Sequence, residues 1–361
     1  MSGRTFAARL VAWQKRHGRH DLPWQRSRDA YAIWLSEIML QQTQVATVIP
    51  YYERFLRRFP TVRSLAQAPL DDVLTLWSGL GYYSRARNLH QAARRIVDTH
   101  GGRMPDDPET VQTLPGIGRS TAAAICVFAY GGRHAILDGN VKRVLARHGG
   151  VRGYPGEARV HEKLWRNAES LLPARDIDIV AYTQGLMDLG ATVCSRAAPK
   201  CEQCPVRADC VALSKDVVDQ LPGRKPSRVL PQRTTVMLLL RHAGEILLEQ
   251  RAPRGIWGGL WSLPEMTDAR DPDEVRMLCR ERYGLTVTSI KKLSPVAHGF
   301  THFKLDIEVL AVQVKRIPLK RTAVKKARAS GPPCTRWLPI ADAVAAALPA
   351  PVRKIILTNC F

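Results

Sequence analysis

The chain has 361 residues, 45% of them hydrophobic, which excludes a disordered protein and exceeds one comfortable core, so two or more domains are expected. Its 54 Lys and Arg against 32 Asp and Glu give a net charge of +22, which calls for a polyanionic partner, nucleic acid first. No apolar run approaches a bilayer span and the N-terminus MSGRTFAARLVAWQKRHGRHD lacks a signal-peptide apolar centre, so no membrane role and a cytoplasmic location are expected.

From about Arg4 to Leu213, apolar residues recur at three- and four-residue spacing, as in AYAIWLSEIMLQQTQVATVIPYYERFLRRF and DDVLTLWSGLGYYSRARNLHQAARRIVDTH, and predict a helical part. In the first of these, Ile33, Glu37, Leu40 and Gln44 follow one another at helical spacing and set a carboxyl in a partly apolar stripe. Burial there would raise its pKa and let it hold a proton near neutrality. Further on, LPGIGRSTAAAICVFAYGGRHAILD (Leu114 to Asp138) is a glycine-bracketed turn opening an apolar helix, with a solitary acid 20 residues past the second glycine. Gly116 and Gly118 have no Cβ, so the turn can take positive φ and bring bare N–H groups against a phosphate beside a helix N-terminus. Such a hairpin, at about residues 114–121, grips a strand without reading its sequence. Asn140 is placed to cap the helix beginning at Val141. Arg143 and Arg147 lie on that helix, spaced to meet phosphate.

Cys194, Cys201, Cys204 and Cys210 have the spacing C-x6-C-x2-C-x5-C, four thiols within 17 residues. A single C-x2-C pair favours an iron-sulfur cluster over zinc, which more often uses two separated knuckles. Cys126, Cys279, Cys334 and Cys360 are scattered singly and read as inert thiols. Near Leu221 the composition changes: PGRKPSRVLPQR packs three prolines and four basic residues into 12, a linker signature. Beyond it, TTVMLLLRHAGEILLEQR predicts two strands around a turn at Ala243 and Gly244, and HFKLDIEVLAVQV another strand. Residues 1–225 carry 32 basic and 21 acidic side chains and residues 226–361 carry 22 and 11, so each part is +11 and neither is a neutral passenger. From Val309 to Ala341 there is no acid, while Lys315, Arg316, Lys320, Arg321, Lys325, Lys326 and Arg328 recur mostly as pairs, which predicts a mobile basic segment.

The hairpin, its acid and the cysteine quartet together resemble the iron-sulfur members of the helix-hairpin-helix DNA glycosylase superfamily over about residues 20–215. SEIMLQQTQV and WSGLGYYSRARNL resemble the adenine DNA glycosylase family within it. The resemblance implies a mainly α N-terminal helix-hairpin-helix glycosylase fold with an iron-sulfur cluster loop, plus a C-terminal α+β Nudix-like domain. Its boundaries would be 1–220 for the helical catalytic domain (cluster loop 194–210), 221–231 for the linker and 232–361 for the Nudix-like lesion-recognition domain. By the match, Glu37 is the general acid that protonates adenine, Asp138 stabilises the oxocarbenium-like sugar or bonds to it, and Asn140 helps position the pair. Gln42 and Tyr82 would wedge into the duplex, and Trp24 would line the base pocket. Bifunctional relatives resembling endonuclease III carry a lysine in the hairpin slot that Ser120 occupies here, so a Schiff base is not expected and the reaction should stop at base removal.

The C-terminal part resembles a Nudix-like domain through GIWGGLWSLPE. Against the metal-binding pattern of Nudix hydrolases, Met277 and Leu278 occupy the Arg and Glu slots, Arg282 replaces the last Glu, and only Glu281 remains, so metal-dependent hydrolysis is not expected. Phe300, Thr301 and His302 in HGFTHFKL match the family's readers of 8-oxoguanine, with Thr301 where Ser is usual. The expected cofactor is one [4Fe-4S] cluster held by the four cysteines. The expected partner is double-stranded DNA containing A opposite 8-oxoguanine or G, bound by a nucleoid-associated monomer, with downstream abasic-site repair enzymes as further partners.

Overall fold

The computed structural model describes residues 5–174, 177–226, 229–267, 271–316 and 334–360. It divides into two compact units, Met1–Ala68 with Ser84–Ser227, and Pro69–Tyr83 with Arg228–Phe361. The segment Pro69–Tyr83, which helical periodicity assigned to the first part, thus belongs with the second unit. Most of the basic segment, including Lys320, Arg321, Lys325, Lys326 and Arg328, lies outside the described residues. Among the described residues no helix is long and apolar enough to cross a membrane.

The first unit is helical among its described residues. Helix Ala30–Leu40 is apolar on every side and is entered through Asp29, whose carboxylate accepts from the Ala32 N–H at 2.8 Å. Ile33, Ile38 and Met39 are almost fully enclosed, each contributing about 1.5–3 kcal/mol by burial. The helical spacing expected from Ile33 to Gln44 is interrupted at Gln41–Gln44, and a second helix runs Val45–Arg58. Gln44 therefore caps the second helix, and the stripe that carries Glu37 stops at Leu40. Helix Arg119–Tyr130 packs against Ala30–Leu40 and ends at Gly131, whose φ of 73° suits glycine. An extended segment then leads to helix Gly139–His148, which Asp138 caps. Leu137, Val141, Val144 and Leu145 join Leu10, Leu164 and Tyr182 in one core.

The second unit is built on a seven-stranded sheet: β1 (Gln232–His242), β2 (Glu245–Gln250), β3 (Trp261–Ser262), β4 (Glu265–Met266), β5 (Leu285–Gly299), β6 (Lys304–Arg316) and β7 (Thr335–Pro339). The order is β3-β2-β1-β6-β5, with β4 on β1 and β7 on β2; β1 and β6 run parallel. Ala243 and Gly244, at φ 47° and 82°, make the expected β1–β2 turn. Val236, Leu238 and Leu240 pack on Val275 and Cys279 of helix Pro272–Tyr283. On the opposite face Met237 and Leu239 are also buried, and Arg241 donates to the Asn359 carbonyl of helix Ala350–Cys360 at 3.4 Å. Strand burial on both faces explains the unbroken run VMLLL.

Candidate active site

Glu37 lies on the inner face of helix Ala30–Leu40, where it lines a cavity of about 460 Å³ with Trp24, Ser36, Leu40, Phe128 and Gln184. That volume is within the range of a small-molecule site. The cavity wall is rigidly held. Trp24, 9% exposed, meets the Tyr52 ring edge-on at 5.5 Å. The loop before it is pinned by Asp188, fully enclosed, whose carboxylate accepts from the Arg19 N–H, the Arg19 guanidinium and Gln184 Nε2 at 2.7–2.9 Å. Leu22 N–H donates to Gln25 Oε1 at 3.1 Å, and Gln25 in turn donates to the Arg19 carbonyl at 3.0 Å.

Burial raises the Glu37 pKa from the usual 4.5 to about 8, and the negative charge of Asp138 adds to the rise. At neutral pH this carboxyl is protonated. Asp138 is not part of the same cavity wall. Its Oδ1 accepts from the Val141 N–H at 2.7 Å, and its φ of −78° and ψ of −175° are those of an ordinary cap. Desolvation pushes its pKa up as well, opposed by the N–H groups of Val141 and Asn140 and by the charges of Arg143 and Lys142. Those donors favour the ionised form, whereas Glu37 meets only burial and a like charge.

The hairpin carries two different glycines. Gly116 has φ 78° and a Cβ there would meet Asn88 Cβ at 2.7 Å, so both conformation and space require glycine. Gly118 has φ −94° and open space around it, so the expected left-handed conformation is confined to the first glycine. Ser120 Oγ accepts from the Leu137 N–H at 2.8 Å, tying the hairpin helix to the residue before Asp138. The hydroxyl is a strut between the two segments.

Two other expected residues share an unusual backbone. Gln42 has φ 57° and Tyr82 φ 48°, a region that side chains larger than Asn rarely enter. Tyr82 is also 46% exposed, an aromatic ring presented to solvent. The Gln42 turn is held by a residue that spacing alone does not single out. Buried Arg85 donates through Nη1 to the carbonyls of Ile38, Met39 and Gln41 at 2.6–2.9 Å and through Nη2 to Thr43 Oγ1 at 3.1 Å. One guanidinium thereby satisfies the end of the Glu37 helix.

Arg143 and Arg147 are placed otherwise than expected. Arg143 donates to Asn140 Oδ1 at 2.9 Å, to the Gly190 carbonyl at 2.6 Å and to the Cys194 carbonyl at 2.8 Å. Arg147 is 3% exposed, and its guanidinium points at the carbonyls of Ser195, Arg196, Val218 and Leu221 and at Cys194 Sγ, 3.4 Å away. Both side chains turn inward as braces of the cysteine loop. Asn140, likewise, is held by Arg143; the cap of the helix is Asp138. Gly190 passes so close to Asn140 that a Cβ there would lie 2.7 Å from Asn140 Cβ, which fixes the loop against the Asp138 helix.

Cys194, Cys201, Cys204 and Cys210 line one cavity with Val193, Pro199, Leu213 and Val218. Among the described residues, no three His, Cys, Asp or Glu side chains converge as a single-ion site. The thiols ring a space, an arrangement that fits a four-cornered cluster in which each iron takes one thiolate. Arg147 at Cys194 would offset thiolate charge.

In the second unit, Phe300 stacks on Phe303 with centroids 4.4 Å apart, and Trp257, His298 and His302 surround it at 4.8–6.2 Å. Trp257, with φ 55°, belongs to this cluster, although residue spacing does not mark it. Thr301 and His302 are exposed beside it. Of the positions compared with the Nudix pattern, Met277 is 56% exposed and Arg282 forms an ion pair with Glu249, which also accepts from Tyr283 Oη at 2.6 Å.

Residues 35–170 match the family model of HhH-GPD superfamily base excision DNA repair proteins, and residues 235–358 that of NUDIX domains. An adenine DNA glycosylase of Buchnera aphidicola is 34% identical over 97% of this chain and 96% of its own. One of Homo sapiens is 36% identical over 97% of this chain and 73% of its own. Among solved structures, a thermostable thymine-DNA glycosylase superposes with a TM-score of 0.53 at 31% identity, covering 58% of this chain and 95% of that one. With relatives this similar along nearly its whole length, the chain belongs to the adenine DNA glycosylase family.

Proposed function

We propose that this chain is a monofunctional glycosylase that hydrolyses the N-glycosidic bond of adenine opposite 8-oxoguanine or guanine in DNA. The observation that carries the reading is a carboxyl held neutral to about pH 8 in a base-sized cavity, beside an acid whose partners favour ionisation. Breaking the bond leaves electron density on the base and positive charge on the sugar. Glu37 supplies a proton to the departing adenine, and the Asp138 carboxylate stabilises the sugar cation, electrostatically or by a transient bond, until water completes hydrolysis. Trp24 lines the pocket that receives the extruded base, and Gln42 and Tyr82 fill the gap it leaves. Ser120 offers no amine to C1′, so the sugar is not cleaved.

The cysteine ring would hold one [4Fe-4S] cluster, which would organise the loop and add no step to base removal. Phe300, Thr301 and His302 would read the opposite 8-oxoguanine, and the protein would act as a monomer before abasic-site repair enzymes. The helical domain is taken as residues 1–220, with 232–361 as the lesion reader.

The test is incubation with duplexes containing A opposite 8-oxoguanine, A opposite G, and oxidised pyrimidines, assayed with and without alkali. Adenine release with strand breaks mainly after alkali is the expected result. Immediate cleavage at oxidised pyrimidines would replace this reading with a lyase; tight binding without base loss would replace it with a noncatalytic binder. A brown protein with iron and sulfide bound supports the cluster, and a colourless zinc protein overturns it.

A further inference from the structure

Beside the Asp138 helix lies a second cavity, of about 420 Å³, that the proposed chemistry does not use. Lys142, Arg196, Arg224 and Lys225 line it, with Gly139 and Tyr154. Arg143 and Arg147 also reach its wall, and Asp219 is its one acid. The groove therefore carries six cationic side chains against a single carboxylate. Arg143 and Arg147 are committed to carbonyls and keep their positive charge. Lys142, Arg196, Arg224 and Lys225 have no ion-pair partner among the described residues. Gly139 opens a ten-residue helix at this wall, so its backbone dipole adds to the field.

Arg224 and Lys225 come from the stretch that composition marks as linker, yet its first residues are fastened to the helical unit. Gly223 N–H donates to the Gly153 carbonyl at 3.0 Å, and the Leu221 carbonyl accepts from Arg147 Nε at 2.9 Å. The approach at Gly223 is glycine against glycine: a Cβ there would lie 2.6 Å from the Gly153 carbonyl carbon. The consequence is a basic arm set at a fixed place, with its first turn of chain docked and its charges facing the groove.

We infer that this groove is a phosphodiester subsite, in which Lys142, Arg196, Arg224 and Lys225 hold consecutive phosphates of the DNA backbone next to the nucleotide served by Asp138. The linker then acts as a DNA-binding element of the helical unit, beyond its role as a tether. Its ligand is a run of phosphates: four cations lining one groove suit an extended polyanion. This inference rests on the proposed glycosylase function, since it assigns the groove to the same DNA.

The test uses the full-length, cluster-loaded protein and a duplex whose target adenosine bears a 2′-fluorine, so that it binds without reacting. Affinity is measured between about 50 and 300 mM salt, a range wide enough to resolve a counterion-release slope. For the double variant Arg224→Ala/Lys225→Ala, the log–log salt slope should shrink by about 1.8, from ~0.9 per phosphate contact, and affinity at about 0.1 M salt should fall at least tenfold. Gly223→Val keeps every charge but lifts the arm from Gly153, and should give the same loss. A parental slope and affinity in Arg224→Ala/Lys225→Ala would overturn the inference. Loss from the double variant without loss from Gly223→Val would also overturn it, because charge alone would then suffice without a docked arm. Should the parent bind the duplex with normal salt dependence but release no adenine from ordinary substrate, the glycosylase reading fails and the subsite stands.

Discussion

The two units treat acidic residues in opposite ways. The helical unit keeps Glu37 where burial makes its charged form unfavourable, with no cation to offset it. The sheet unit matches a NUDIX family model, yet carries Met277, Leu278 and Arg282 at positions of the expected Nudix pattern. There, Met277 is exposed, Leu278 packs on the core and Arg282 neutralises Glu249. A fold survives on buried apolar strands, as in Val236–Leu240, whatever happens to its chemistry. An active centre is marked instead by a residue that opposes stability.

The largest effect should come from removing the proton donor. Glu37→Gln should lower single-turnover adenine release by about 10²–10⁴, the usual worth of general acid catalysis, with DNA affinity retained. Substantial residual activity would reject the acid role. In the parent the rate should fall about tenfold per pH unit above pH 8, as Glu37 loses its proton. A rate that rises through that range would instead indicate a general base.

The stability effect should be smaller and opposite in sign. The folded-state pKa of Glu37, about 8, lies above its ordinary 4.5, so the folded protein binds an extra proton. The contribution is fully present below about pH 4.5 and disappears as pH rises through 8. Glu37→Gln should thus be stabilised by on the order of 2–4 kcal/mol near pH 8 and unchanged near pH 4, as read from urea titrations. Equal shifts at both pH values would show that the change is one of packing.

In the sheet unit the expected effects are modest. Phe300→Ala removes the centre of an aromatic cluster and should reduce discrimination between 8-oxoguanine and guanine opposite adenine by about tenfold, through lost stacking. Adenine release opposite guanine should change little; equal losses on both duplexes would deny a reading role. Removal of divalent cations with EDTA should leave adenine release unaltered, because the metal acids are missing. A strict requirement for magnesium would contradict that assignment.

Much of this was legible in residue spacing. The Glu37 helix, the hairpin, the cysteine quartet and the β1–β2 turn each follow from a local pattern. What escaped was decided by distant partners. The helical period runs unbroken across Gln41–Gln44, and only the carbonyls gathered by Arg85 mark the turn there. Arg147 and Lys142 lie on one helix with similar sequence surroundings, yet the carbonyls of Ser195 and Leu221 draw Arg147 inward. Nor does a tyrosine signal that its φ will be 48°, as it is at Tyr82.

The most direct test is a carbon-13 titration of the Glu37 carboxyl in the DNA-free protein, assigned by loss of its resonance in Glu37→Gln. The account predicts a midpoint near 8 that moves down in Asp138→Asn, where the like charge is gone. A midpoint near the ordinary 4.5, or one indifferent to Asp138, would contradict it.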